Sequence, residues 1–177
     1  YVYPPLRHAE WNGLTPTDLV FPFFLFIVGV SIVLAYTRRL KDNSPKKILV
    51  RKILWRSFLI FAFGLMLNLI GSQFSHFRIP GVLQRIAIVF LACSLLFLFT
   101  NRNIQIWTGV LALIVYYLLM VLMPVPGIGA GVLLPGQNLA AWIDGQLIPF
   151  YMYQQTWDPE GLLSTIPAIA TGITGMM

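Results

Sequence analysis

Long apolar runs separated by short polar stretches dominate the chain. They cover about residues 18–36, 53–70, 79–99 and 104–123, and another begins near residue 161 and continues to residue 177. A helix rising about 1.5 Å per residue needs roughly 20 apolar residues to cross a hydrocarbon core. Backbone groups in lipid must satisfy one another, so each separated run of this length predicts a helix. The pattern implies an all-α polytopic transmembrane helix bundle with about five spans, forming a single transmembrane domain over 1–177. The interval 124–160 breaks the pattern. It opens with the Gly- and Pro-rich PVPGIGAGVLLPG and turns amphipathic in QNLAAWIDGQLIPFYMY. This predicts a long loop with a short interfacial helix, its Trp142, Tyr151 and Tyr153 at headgroup level.

Composition agrees, since 58% of residues are hydrophobic and only 10% charged, against about 25% charged in a soluble domain. The chain begins at Tyr1 and its last apolar run reaches Met177 without a polar flank, so both ends are read as truncations. The runs are too long to be secretory signal regions. The single cysteine, Cys93, lies inside an apolar run and offers neither a disulfide framework nor a CxxC metal site; no metal is expected. The net charge of +6 does not point to nucleic acid, because the basic residues flank the spans. Arg38, Arg39, Lys41, Lys46, Lys47, Arg51 and Lys52 crowd the first connection, and Arg102 lies on the same side. By the positive-inside rule, loop 38–52 is cytoplasmic. Glu10, Asp18, Asp144, Asp158 and Glu160 then face outward, with Arg7, His8, His76, Arg78 and Arg85, and Asp42 alone is inside.

Three polar constellations gather on the outer side. In the first, Arg7, His8, Glu10, Trp11, Asn12 and Asp18 lead into span one. Thr15-Pro16-Thr17-Asp18 fits a helix start, with Thr15 as cap, Pro16 first in the helix and Asp18 reaching back to the cap amide. His8 and Asn12 have no such local role. An imidazole exchanges protons near neutral pH, so His8 beside an amide is a candidate general base, with a solvated histidine as the alternative. In the second, RIPGVLQR, Pro80 suits a first helical turn. Arg85 sits one to two turns inside the membrane, where a charge must be paired or snorkel. It either snorkels to outer headgroups or, with Gln84, faces inward to bind an anionic group or pair with Asp18, Asp158 or Glu160. In the third, Asp158 is a natural cap, Pro159 a first helical residue and Glu160 a first-turn acid free to bind a cationic or hydroxyl-bearing substrate. The basic loop is a fourth candidate, as a phosphate site, beside its simpler reading as a topology signal.

The blocks HAEWNGLTPTDLVFPFFLFIVGVS, RIPGVLQRIAI and DPEGLLSTIPAI, in this order, resemble the heparan-α-glucosaminide N-acetyltransferase family of polytopic acyltransferases. The resemblance implies an acetyltransferase that moves an acetyl group from acetyl-CoA, supplied on the cytoplasmic side, to the amino group of a glucosamine unit across the membrane. The family's active histidine falls on His8. Asn12, Asp18, Arg78, Gln84, Arg85, Asp158 and Glu160 lie in the matching blocks and are candidate site residues, with Asn12 orienting the imidazole or donating to the oxyanion. His8 would act either as base or as carrier of the acetyl group. The rival reading is an aminosugar transporter or permease without acetyl transfer, because buried Arg and Gln serve translocation equally well. The expected partners are the lipid bilayer and an aminosugar or the terminal glucosamine of a glycan, with a homo-oligomer left open. For a bacterial chain the location would be the cytoplasmic membrane.

Overall fold

A computed structural model describes residues 3, 6–71, 78–148, 152–154 and 156–177. Tyr151 and His76, both named above, lie outside the described residues. Among the described residues there are six helices, in the order α1 Pro16–Lys41, α2 Lys46–Gly71, α3 Val82–Phe99, α4 Arg102–Leu122, α5 Leu139–Leu147 and α6 Thr165–Gly175. The first four are long and apolar enough to cross a membrane. The chain is a multi-pass helical membrane protein.

The helix ends differ from the expected spans in ways the local chemistry explains. Helix α1 begins at Pro16 behind Thr15, as expected, but runs on through Lys41, and α2 already starts at Lys46. The expected basic loop 38–52 is therefore mostly helix, with only 42–45 as connection. Arg38, Arg39 and Lys41 occupy the last turn of α1, where cations complement the helix dipole. The turn closes as a Schellman motif: Asn43 takes φ 52°, its N–H donates to Leu40 O, and the N–H of Ser44 donates to Arg39 O. Pro80 precedes α3 and does not sit in its first turn, since the first helical bond runs from Arg85 N to Gly81 O. Asp158 does not cap a helix either. Helix α6 starts seven residues later, at Thr165, and Pro167 falls in its first turn, where the missing N–H would have no partner anyway.

Helix α6 is the hub, packed against α1, α3 and α4, while α3 also contacts α1 and α2. Lipid offers no hydrophobic drive between helices, so close approach depends on small residues. Gly29 of α1 meets Gly172 and Gly175 of α6, and Gly172 in turn lies against Val89 and Cys93 of α3. Cys93 is fully buried there, with Sγ 3.7 Å from Ile169 O. The Ser57 hydroxyl donates to Ala87 O at 2.9 Å, pinning α2 to α3. Outward faces carry Phe23, Ile27, Leu54, Trp107, Leu111 and Tyr117, all exposed and suited to lipid.

A β-carbon on Gly29 would collide with the α6 backbone, whereas one on Gly145, inside α5, would meet nothing within 4 Å. Gly29→Leu is expected to destabilise the bundle by at least the ~1–3 kcal/mol typical of overpacking. Gly145→Ala should be neutral or stabilising by up to about 1 kcal/mol. Thermal unfolding in detergent compares the two.

Candidate active site

Chain entry into α1 is organised by one carboxylate. Asp18 Oδ2 accepts from the Thr15 N–H and hydroxyl, both at 2.8 Å, and from Ala9 N at 3.2 Å. Its other oxygen, Oδ1, lies 2.7 Å from His8 Nδ1. The capping role foreseen for Asp18 is real, but the same group also holds the histidine. Because the carboxylate accepts, the neutral ring carries its proton on Nδ1 and presents Nε2 with a free lone pair. His8 remains well exposed, its side chain 74% accessible.

His8 and Asp18 line a cleft of about 640 Å³ together with Asn68, Arg78, Gln84 and Glu160. Five of the eight candidate residues thus meet in one cavity. Asn12 is exposed and outside this lining, so the cleft gives no support for its orienting the imidazole or contacting an oxyanion. Arg85 and Asp158 stand behind the wall, both buried.

The wall is an ion cluster. Arg78 donates from Nε to Asp158 Oδ2 at 2.9 Å and from Nη2 to Asp158 Oδ1 at 2.6 Å, and Nη2 also reaches Glu160 Oε2. Asp158 further accepts from the backbone N–H of Tyr153 at 2.9 Å and of Glu160 at 3.0 Å. This explains why it does not cap a helix: its acceptor sites are spent on Arg78 and on the backbone N–H groups of Tyr153 and Glu160. Burial pushes the Asp158 carboxyl up, but the guanidinium and the two backbone donors outweigh it and hold the group below the ordinary carboxylate value. Arg78, whose charge burial disfavours, is held above its ordinary value by the same two acids. Its guanidinium also stacks over the Tyr153 ring, 5.2 Å from the centroid. Among the described residues, Arg85 pairs with no carboxylate, and it does not snorkel. It is 8% exposed, and its Nη2 donates to Gly161 O at 3.0 Å and to the Ser164 hydroxyl.

Several supports carry no linear signature. Asn68 of α2 donates to Arg78 O and Pro80 O, both at 3.0 Å, fixing the strip that leads into α3. Trp11 donates to Leu133 O at 2.9 Å and packs edge-on against Trp157, with centroids 5.2 Å apart, so the His8 segment is tied to the long connection at two points. Asp144, buried in α5, accepts from Leu162 N at 2.8 Å and lies hard against Gly161. Burial raises its pKa, and the single backbone donor offsets this only in part. A carboxylate inside the apolar WIDGQL was the available signal for it.

The family model described as heparan-alpha-glucosaminide N-acetyltransferase, catalytic, matches residues 3–152. The chain belongs to the heparan-α-glucosaminide N-acetyltransferase family. It is 32% identical to the heparan-alpha-glucosaminide N-acetyltransferase of Mus musculus over 220 aligned positions, which cover 96% of this chain and 34% of that protein. The Homo sapiens protein of the same name is also 32% identical, with 96% of this chain and 33% of the relative covered. The chain therefore spans about a third of the length of these relatives. The match to the family's catalytic model includes the segment holding His8, Asp18, Arg78, Gln84 and Arg85, while Asp158 and Glu160 lie beyond residue 152.

The two buried acids should respond to pH in opposite senses. Asp158, with its folded pKa depressed, stabilises the fold above the ordinary carboxylate pKa, and this is lost as pH falls through its folded value. Asp144, with its folded pKa raised, costs stability as pH rises through its folded value. Asp158→Asn is expected to lower the melting temperature at pH 7, by an amount in keeping with the ~3–5 kcal/mol cost of breaking a buried pair, and to flatten the acid limb below about pH 5. Asp144→Asn should leave stability at pH 7 unchanged or raise it. An unaltered acid limb in Asp158→Asn would locate the sensitivity elsewhere.

Proposed function

We propose that the cleft is the acceptor site of an acetyl transfer in which His8 takes the proton from the amino group of a glucosamine-type sugar. The observation that carries this reading is the Asp18-held imidazole, facing a cavity whose far wall is the Arg78–Asp158–Glu160 cluster. One guanidinium against two carboxylates leaves that wall net negative. With Asp18 opposite, the cleft favours a cationic ammonium and sugar hydroxyls over an anion. The relatives' name, heparan-alpha-glucosaminide N-acetyltransferase, supports an acetyl group moving to glucosamine nitrogen.

Acetyl-CoA, the donor expected for such a transfer, supplies a thioester carbonyl carbon open to attack. For the sugar amine to become a nucleophile, its ammonium must first lose a proton to water. His8 Nε2, within a lined cavity and backed by a carboxylate on Nδ1, is built to take the next proton as the C–N bond forms. As the C–S bond breaks, the thiolate leaves and accepts a proton, so charge and mass balance. Asp18 stabilises the transient imidazolium and fixes the ring tautomer, a role that removes no atom from the substrate.

The direction of transfer in this reading rests on the basic residues at the α1–α2 turn, which by the positive-inside rule favour the cytoplasm for that end and the outside for the His8 end. The acetyl group would thus cross from a cytoplasmic donor to an extracytoplasmic sugar.

The full-length protein in detergent, given labelled acetyl-CoA and glucosamine, should form N-acetylglucosamine. His8→Ala should reduce the rate by about 100- to 10,000-fold, and Asp18→Asn by about 100-fold or more, with little change in the KM for sugar in either. Full activity in His8→Ala would refute its role, and uptake of unmodified sugar without product would mark a transporter. Orientation is checked in a Cys93→Ala background with single cysteines at Asn12 and Asn43. A membrane-impermeant thiol reagent applied to intact cells should label only the first.

A further inference from the structure

The acceptor cleft accounts for His8, Asp18 and the ion cluster, but it leaves two buried donors unused. Gln84 is 3% exposed and Arg85 8% exposed, and among the described residues neither Gln84 Nε2 nor Arg85 Nε has a hydrogen-bond partner. Buried polar groups are normally satisfied, so two consecutive exceptions at the start of one helix call for a cause. Both residues line a second cavity, of about 210 Å³, whose remaining walls include the apolar Phe61, Ile88, Leu147 and Ile148. Gln84 and Glu160 line this cavity and the His8 cleft alike, so the two spaces share a partition.

The site is selective by construction. Gly64 and Gly81 flank the Gln84 carboxamide so closely that a β-carbon on either would strike its Oε1. The glycines therefore leave the amide wedged between α2 and the lead-in to α3. Donors without acceptors in apolar surroundings call for a carbonyl oxygen, and a positive Arg85 beside a negative Glu160 leaves no excess charge to draw an anion. The volume is below that of a pocket for a whole drug-sized ligand, and fits the end of a chain.

We propose that this side cavity receives the acyl end of the donor thioester, with the carbonyl oxygen accepting from Gln84 Nε2 and Arg85 Nε while the aminosugar occupies the His8 cleft. The proposal rests on the acetyl-transfer reading and deepens it: the two substrates enter separate cavities and meet across the Gln84–Glu160 partition. Donors preset on that oxygen would also stabilise the negative charge that grows there as the amine adds. A bilayer lipid offers the same combination of apolar chain and ester carbonyl, and the experiment separates the two sources.

Equilibrium binding of acetyl-CoA and of S-ethyl-CoA, which lacks only the carbonyl, is measured on full-length protein and on Gln84→Leu. Wild type should prefer acetyl-CoA by about tenfold or more, as expected for at least one buried hydrogen bond, and Gln84→Leu, which leaves only the Arg85 donor, should narrow the preference. The variant should still unfold cooperatively on heating, because the amide nitrogen it removes has no partner to lose among the described residues. Arg85→Lys, which keeps the charge and deletes the Nε donor, should also narrow the preference and serves if Gln84→Leu does not fold. Equal binding of both probes to wild type, or a preference that survives both variants, would overturn the proposal. So would a lipid ester that copurifies and is displaced by neither probe, which would assign the cavity to the bilayer. A carbonyl preference that depends on Gln84 in a protein without acetyl transfer would support the cavity assignment and defeat the acetyl-transfer reading instead.

Discussion

The Arg78 guanidinium, bonded to Asp158 and Glu160, is the interaction on which the functional end of the molecule depends. It joins the strip before α3 to the segment before α6, 80 residues apart in sequence. Removing the guanidinium would strand the Asp158 carboxylate, whose side chain is fully buried, and an unpaired buried ion costs several kcal/mol. The cluster also spends the acceptor capacity of Asp158 on the backbone of 153–160. That delays the start of α6 until Thr165 and leaves Gly161 O and Ser164 free to receive Arg85. One ion pair thereby sets the position of α6, the wall of the cleft and the placement of the second arginine.

Below the cluster, the bundle relies on glycine. Helices in lipid gain little from hiding apolar surface, so contact must come from close packing, and Gly29, Gly172 and Gly175 allow α1 and α6 to touch backbone to backbone. Near the cleft, Gly64, Gly81 and Gly161 serve polar side chains, making space for Gln84 and Asp144 where a methyl group would not fit. The same residue type thus carries stability at mid-bundle and site geometry at the His8 end.

The cleft itself is a divided structure. Asp18 secures the histidine from one side, Trp11 and Trp157 tie that segment to the long connection, and Arg78 closes the opposite wall. Two cavities share Gln84 and Glu160, and the proposed transfer would use one for the sugar amine and the other for the acyl end of a thioester. In that proposal the unpartnered donors of Gln84 and Arg85 would face the acyl carbonyl.

Hydrophobic run length and flanking charge were enough to read the helical membrane class, because lipid leaves the backbone no other way to satisfy itself, but the fifth apolar run yields only the 11-residue α6 beside four long helices. The Thr15-Pro16-Asp18 start was equally legible, since capping is a contact between residues three apart. The blocks around His8, Arg78 and Asp158 also declared the family. What local sequence could not decide was partner choice: Asp158 looked like a cap, and Arg85 looked like the arginine that would meet an acid, whereas Arg78 took both carboxylates. Nor did Asn12 reach the cleft, although it is only four residues from His8. Pairing between charges 80 positions apart depends on which helix ends converge, and that follows from glycine contacts deep in the bundle. Only the tertiary structure settles it.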